Sequence, residues 1–424
     1  MRPAPAHVHQ DRLWSSLTEL AGFGRFHDSA SDLYGVSRPA LTPPDVEARQ
    51  WLLRQMTDVG LDVWTDAVGN LFGRYDGTDP GIPPLMIGSH VDSVPQGGMF
   101  DGALGVLAAM EVIRALREAG HSLRRSVVVA VFTEEEGSRF GTDMLGSAVA
   151  AGRIPLEQAL ALRDADGVTL GEALEKTGFA GHGSVLAPPY AYLEVHIEQG
   201  PILSSAGVDI GLPTGVQAIS WHELTVTGKA AHAGATPAHL RVDAAKTATR
   251  LMAALFEYAA ARQDGGLMMT VGRMRLEPGV TNIVPRLASF TVDLRAPDDG
   301  LVTDAEAHLS GLVEREGQDG PAAALRRLAR TQPVPFSEPL RRLVADVAGT
   351  LGYSRRSLIS GAGHDAQEMA ALCPSAMIFV PGLYDGISHT PREYSDPAAC
   401  HKATNLLAHV VTALCGDDDR SALA

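Results

Sequence analysis

The sequence predicts an α/β protein whose main domain is interrupted by a smaller α+β domain. Two observations predict it. Short apolar, β-branched runs that end in polar residues alternate with helical patterns in the first half and again near the C-terminus. Between about residues 211 and 330 the order changes to β-α-β-β-α-β, the split ferredoxin-like arrangement of a four-stranded sheet with helices on one face.

The elements follow in order. "PPLMIGSH" and "SVVVAVFTEEEG" read as buried strands that deliver polar residues at their C-terminal ends. Between them "DGALGVLAAMEVIRALREAG" places Leu104, Leu107, Val112, Ile113 and Leu116 roughly on one helical face and stops at Gly120. "YAYLEVHIEQG" and "SAMIFVPGLYDG" repeat the strand device, and in open α/β sheets the C-terminal ends of strands are where ligands bind. In the middle region "ISWHELTVTG" alternates like a half-buried strand and "VDAAKTATRLMAALFEYAAARQ" reads as an amphipathic helix. "LMMTVGRMRLEPG" and "ASFTVDLRAP" are two further strands, "DAEAHLSGLVEREG" a second helix and "AALRRLARTQP" a last strand. The proline-containing "TQPVPFSEPL" returns the chain to the first domain, and the acidic tail "CGDDDRSALA" reads as solvated.

Composition narrows the function. The 424 residues are 45% hydrophobic and carry a net charge of −15, so a large core forms while nucleic acid and anionic membrane are repelled. Three cysteines without a C-x-x-C pair argue against a disulfide framework or a cysteine-only zinc site and for a reducing compartment. "MRPAPAHVHQDRLW" lacks the apolar core of a signal peptide, and no window approaches the roughly 20 apolar residues of a membrane span. A cytoplasmic protein acting on small molecules or peptides is expected, without a nucleic-acid or membrane partner.

Divalent zinc, cobalt, nickel or manganese needs neutral imidazoles and ionised carboxylates, and two neighbouring ions usually share one carboxylate. The chain offers His90 and Asp101 in "GSHVDSVPQGGMFDG", the acids Glu134 to Glu136, His196 in "EVHIEQG" and His389 in "GISHTP", each at or just after a predicted strand. A single strand-end histidine is ordinarily a solvated or hydrogen-bonded residue; three of them with adjoining acids point to a metal. A glutamate run is ordinarily solvated surface, but this one leaves a buried strand, where like charges are costly unless a cation neutralises them. One of those glutamates can bind the ion while its neighbour acts as general base. "GAGHDA" fits the dinucleotide fingerprint only formally, without its βαβ unit, and no phosphate-loop, H-E-x-x-H or G-x-S-x-G signature is present.

Seven stretches in order, "GSHVDSVPQGGMFDG", "TEEEGSRF", "HIEQGPIL", "GKAAHAGATP", "TNIVPRLASFTVDLR", "GAGHDAQEMA" and "GISHTPREYS", resemble the dinuclear-metal amidohydrolases related to zinc carboxypeptidases and aminoacylases. Within them the likeness is to the hydantoinase/carbamoylase family, which holds the N-carbamoyl-L-amino acid hydrolases and allantoate amidohydrolases. It runs from about residue 17 to the C-terminal helix. The resemblance implies a mixed-sheet, zinc-peptidase-like catalytic domain over 1–210 and 331–424, with an inserted lid and dimerisation domain over 211–330. It implies two divalent ions, one on His90, Asp101 and His196 and one on Asp101, Glu136 and His389, with Asp101 bridging. It makes Glu135 the general base and Asp92 the carboxylate that orients His90. Asn282, Arg295, Gln199 and the backbone at Gly363 then grip the substrate carboxylate, and His232 stabilises the oxyanion across a homodimer.

The implied reaction is hydrolysis of N-carbamoyl-L-amino acids to L-amino acid, carbon dioxide and ammonia. Allantoate amidohydrolase is the alternative, and an aminoacylase or dipeptidase is a more distant one. The "SHVDSVP" and "GGMFDG" wording leans to the carbamoylases, whereas Ser204, Ser205 and Ala231 depart from common family wording. A non-catalytic scaffold would be favoured by a missing base or ligand, and none is missing.

Overall fold

The computed structural model describes residues 7–183, 186–319 and 321–416. Most of the acidic tail read as solvated therefore lies outside the described residues. The chain divides into two compact units, Met1–Gly215 with Pro335–Ala424, and Val216–Val334. Among the described residues no helix is long and apolar enough to cross a membrane.

The first unit is built on a mixed sheet. Strands Ser375–Val380, Ala191–Ile197, Leu85–His90 and Val127–Phe132 lie side by side in that order and run parallel. Leu71–Tyr75 and then Asp62–Thr65 continue the sheet antiparallel beyond Val127–Phe132. The four parallel strands are buried along their whole length, which is why the sequence shows continuous apolar runs there and not alternation. Helix Ala103–Glu118 packs against Leu85–His90 and against helices Gln10–Leu20 and Pro397–Cys415. Leu104, Leu107, Val112, Ile113 and Leu116 are buried in the same core, each worth roughly 1.5–3 kcal/mol in removed apolar surface. That helix starts directly after Asp101 and is closed by Gly120 at φ +66°.

The second unit has an antiparallel sheet in the order Met268–Thr270, Leu287–Ala296, Ala218–Thr227, Ala322–Thr331, with helices Ala244–Ala260 and Asp299–Asp319. Its separate core gathers Leu224, Val226, Leu251, Leu255, Phe290, Val292 and Leu309. The stretch read as one strand, "LMMTVGRMRLEPG", is two, Met268–Thr270 and Met274–Glu277, both pairing with Leu287–Ala296. The break falls where Arg273 and Thr291 bond to each other, backbone N–H of Thr291 to the Arg273 carbonyl and backbone N–H of Arg273 to the Thr291 hydroxyl.

Candidate metal centre

Every implied metal ligand sits in the first unit, near or beyond the C-terminal end of a parallel strand: His90 and His196 are among the last residues of theirs, Glu136 and His389 follow theirs, and Asp101 precedes the helix between two of them. Among the described residues three groups place their ligand atoms within 4.8 Å of one another: His90–Asp101–His196 and Asp101–Glu136–His389, which are the two implied sets, and Glu194–His196–His364 behind them. Asp101 belongs to both implied sets. Its Oδ1 lies 3.5 Å from His90 Nε2 and 3.1 Å from His196 Nε2, while its Oδ2 lies 3.3 Å from His389 Nε2. His389 Nε2 is also 3.3 Å from Glu136 Oε2. Glu135 reaches the same place, its Oε2 standing 3.5 Å from His90 Nε2.

Local backbone explains how residues so far apart in sequence converge. Gly102 has φ +61°, and a Cβ there would lie 2.4 Å from the His90 ring. A Cβ on Gly98 would lie 2.2 Å from Glu393 Oε1. Gly102 and Gly98 are therefore gaps that the His90 ring and the supporting Glu393 carboxylate fill. Three non-glycine residues of the site, Glu134, Gln199 and His389, also hold left-handed backbone at φ 56°, 55° and 58°, strain of the kind that collects at functional sites.

In His196 and His90 the ring nitrogen that points away from the cluster is spoken for. His196 Nδ1 is 2.9 Å from the Ile197 carbonyl, and His90 Nδ1 is 3.0 Å from the Asp92 carbonyl. The Asp92 carboxylate is farther from His90, at 3.7 Å, and instead accepts the backbone N–H groups of Glu135 and Glu136, both at 3.3 Å. Asp92 thus holds His90 chiefly through its backbone and holds the two glutamates through its side chain.

Sequence reasoning missed two supporting acids, Glu393 and Glu194, and counted Glu134 among the candidate metal-site acids without its supporting role. Glu393 is buried and accepts the N–H groups of Phe100 and Asp101 at 2.8 and 3.1 Å. Its other oxygen, Oε2, stands 2.6 Å from Ser388 Oγ, which is itself 3.1 Å from Asp101 Oδ2. Glu134 folds the acidic loop back on itself by accepting the N–H groups of Arg139 and Phe140 at 2.8 and 2.5 Å. Glu194, two residues before His196, accepts from Ser89 Oγ at 2.6 Å and from Ala366 N at 2.9 Å. Each lies inside a stretch quoted above, but a buried carboxylate that serves backbone N–H groups leaves no spacing signature.

The electrostatics are those of crowded acid. Burial and then the Asp101 charge push the Glu136 carboxyl up to about 8. Burial, with Asp365, Glu136 and Asp101 adding to it, lifts Glu135 well above the usual range against the opposing pull of His90. His389 is raised to about 9, first by its hydrogen bond to Asp101. Burial opposes ionisation of Asp101, but the three surrounding imidazoles outweigh it and hold the carboxyl well below the usual range. His90 Nε2 is buried without a hydrogen-bond partner in the protein. An orphaned imidazole nitrogen beside shared carboxylates fits a divalent cation, which neutralises the acids and occupies that nitrogen.

Gln199, expected at the substrate, stands against Asp101: its Nε2 donates to Asp101 Oδ2 at 2.7 Å, and its Oε1 is buried and unpartnered. Gly363 packs beside Met144, whose Cε would be 2.9 Å from an added Cβ. His232, Asn282 and Arg295 belong to the second unit. His232 and Asn282 are neighbours on a short ribbon, with Ala231–His232 paired to Ile283–Val284 and Ala233 N donating to the Asn282 carbonyl at 2.9 Å. His232 Nδ1 accepts from Gly234 N and Ala235 N at 3.1 and 3.2 Å, which leaves Nε2 as the protonated donor of a neutral ring. Arg295 forks onto Asp293, Nη2 to Oδ2 at 2.9 Å.

A sheet whose strand ends gather paired acid and imidazole groups defines a metal-dependent hydrolase. Residues 86–413 match the model of peptidase family M20/M25/M40, and the chain belongs to that family, whose members are metal-dependent. Several of its relatives are amidohydrolases by name. An N-carbamoyl-L-amino acid amidohydrolase from Geobacillus stearothermophilus is 37% identical over 95% of this chain and 98% of that protein. A ureidoglycolate hydrolase from Arabidopsis thaliana is 35% identical over 91% and 82%. Among solved structures, a hydantoinase/carbamoylase family amidase from Burkholderia multivorans superposes with TM-score 0.88 at 38% identity, covering 96% and 98% of the two chains.

Proposed function

We propose that the protein hydrolyses the ureido C–N bond of N-carbamoyl-L-amino acids, releasing the L-amino acid, carbon dioxide and ammonia. The observation that carries this reading is the division of Asp101 between two ligand groups, with Glu135 at their edge; full-length likeness to an N-carbamoyl-L-amino acid amidohydrolase supplies the substrate class. His90, Asp101 and His196 hold one divalent ion and Asp101, Glu136 and His389 the other, drawn from zinc, manganese, cobalt or nickel. Bound there, the ions supply Lewis acidity toward the substrate carbonyl and lower the pKa of water.

The chain's own residues do the rest. Glu135, whose carboxylate stands 3.5 Å from the ligand His90, accepts a proton from the attacking water and returns it to the leaving nitrogen. Asp92 holds Glu135 and Glu136 in place through their N–H groups. His232, with its proton fixed on Nε2, is the donor to the developing oxyanion. Arg295 and Asn282 are assigned to the substrate carboxylate, together with the backbone at Gly363; Arg295 exchanges its Asp293 partner for the ligand. Gln199 is assigned to a substrate N–H, because its amide nitrogen already serves Asp101 and its free oxygen accepts.

In this reading the first unit is the catalytic domain and the second, Val216–Val334, is the inserted lid and dimerisation domain of a homodimer. Strand Ala322–Thr331 at the end of its sheet supports an edge-to-edge partner. Three buried, unbridged cysteines support a cytoplasmic location.

The relation to a ureidoglycolate hydrolase keeps allantoate as the second candidate substrate. Ammonia release from N-carbamoyl-L-methionine, allantoate and N-acetyl-L-methionine, the last scored by methionine release, ranks the readings. We expect N-carbamoyl-L-methionine to be turned over most efficiently. Faster turnover of allantoate transfers the assignment to it, faster turnover of the acetyl compound makes the protein an aminoacylase, and no hydrolysis of any ureido compound by protein with two metals bound rejects the proposal.

A further inference from the structure

Arg38 is 2% exposed, and no motif or proposed step uses it. Its guanidinium makes hydrogen bonds to three backbone carbonyls. Nη1 donates to the carbonyls of Leu20 and Phe23 at 2.9 and 2.8 Å, where helix Gln10–Leu20 ends and the Leu20 carbonyl also accepts from Phe23 N at 3.1 Å. Nε donates to Val91 at 2.7 Å, between the ligand His90 and Asp92. The Arg38 backbone clamps the same segment from the other side: its N–H donates to Ser93 Oγ at 2.9 Å, and its carbonyl accepts from Ser93 N at 3.0 Å.

A dry cation loses its hydration at a high cost that only hydrogen bonds and opposite charges offset. The facing charges are Asp45 and Asp92, which favour the charged form and offset part of that cost. What the side chain fixes is the segment 91–93. The Asp92 carbonyl in that segment holds His90 Nδ1, and the Asp92 carboxylate holds the N–H groups of Glu135 and Glu136.

We propose that Arg38 is a positioning residue for the metal centre, a two-ended clamp that ties the end of helix Gln10–Leu20 to the Val91–Ser93 segment and so aims His90 and the acidic loop. The inference rests on the reading of His90 and Glu136 as metal ligands. Changing an outer partner of a ligand typically weakens metal binding about 10–100-fold, and the same range is expected for Arg38→Met. Arg38→Lys, with a compact ammonium that cannot span both ends in place of the fork, is expected to fall between that variant and the wild type.

The test strips wild type, Arg38→Met, Arg38→Lys and Ser93→Ala of metal with a chelator and titrates each with Zn²⁺ against a chromophoric competitor. Co²⁺ is titrated in parallel, because its visible bands report ligand geometry. We expect weakened Zn²⁺ binding and altered Co²⁺ bands in both Arg38 variants, and a smaller loss in Ser93→Ala. Wild-type affinity and wild-type bands in a folded Arg38 variant overturn the proposal. If Arg38→Met does not fold, Arg38→Lys and Ser93→Ala decide by the same criteria. A wild type that takes up no metal overturns the ligand assignment itself, a failure distinct from that of the clamp.

Discussion

His389 Nε2 stands 3.3 Å from Asp101 Oδ2, the carboxylate oxygen opposite to the one that faces His90 and His196. One aspartate is thereby shared between two imidazole groups, so its removal should cost more than the loss of any terminal ligand. We expect Asp101→Ala to retain well under one metal per chain after reconstitution and desalting, and His389→Ala to retain about one. Elemental analysis of the two proteins checks this, and equal occupancy in both would remove Asp101 from its bridging place.

Glu135 lies beside the ligand His90 without belonging to either ligand group. Glu135→Gln should therefore keep both metals while kcat falls by about 10²–10⁴-fold, the usual contribution of a positioned general base. Near-normal turnover with full metal content would free Glu135 from that role.

Gly102 combines left-handed backbone with a missing Cβ that would fall 2.4 Å from His90. Gly102→Ala should destabilise the protein by about 1–3 kcal/mol from the backbone alone, because φ +61° with ψ −46° is a sparsely populated region for a residue with a Cβ, and weaken metal binding as His90 is displaced. Thermal unfolding of the metal-free form and Zn²⁺ competition separate the two effects. A variant matching the wild type in both would mean that the turn yields without cost.

Crowding also fixes a pH dependence. Glu134 and Glu136 are each raised from 4.5 to about 8, mainly by burial, so the folded metal-free protein holds protons that the unfolded chain has released. Stability from a raised group is present below its unfolded pKa and lost as pH rises through the folded one, here between about 4.5 and 8. His389, raised from 6.5 to about 9, acts in the same direction over its own window. The chelated protein should melt at progressively lower temperature from pH 6 to pH 9, while metal, by neutralising the cluster, should flatten that slope. A chelated protein whose Tm rises over this range would contradict the assignment of buried, protonated acids.

Much of this was legible in the sequence. The four buried strands announced themselves as apolar runs ending in polar residues, and Ala103–Glu118 by its apolar face and terminal glycine. Local pattern could place His90, Glu136, His196 and His389 at strand ends, because a strand end is a local feature. It could not show that Glu393 would reach back to the N–H of Asp101, or that Arg38 would cap one helix and grip a distant loop. Those bonds link side chains to backbone across the fold and follow no period. The role of Asp92 was half visible for the same reason: its neighbourhood to His90 is local, whereas its carboxylate serving Glu135 and Glu136 depends on how two adjacent strands register.

The most direct measurement is the return of ureido hydrolysis as chelated protein is titrated with Mn²⁺ or Zn²⁺, with bound metal counted at each point. Two ions sharing Asp101 predict that ammonia release from N-carbamoyl-L-methionine stays low through the first equivalent and rises to its plateau as the second binds. Full turnover in the metal-free protein, or a plateau already reached with one ion per chain, would contradict the dinuclear centre.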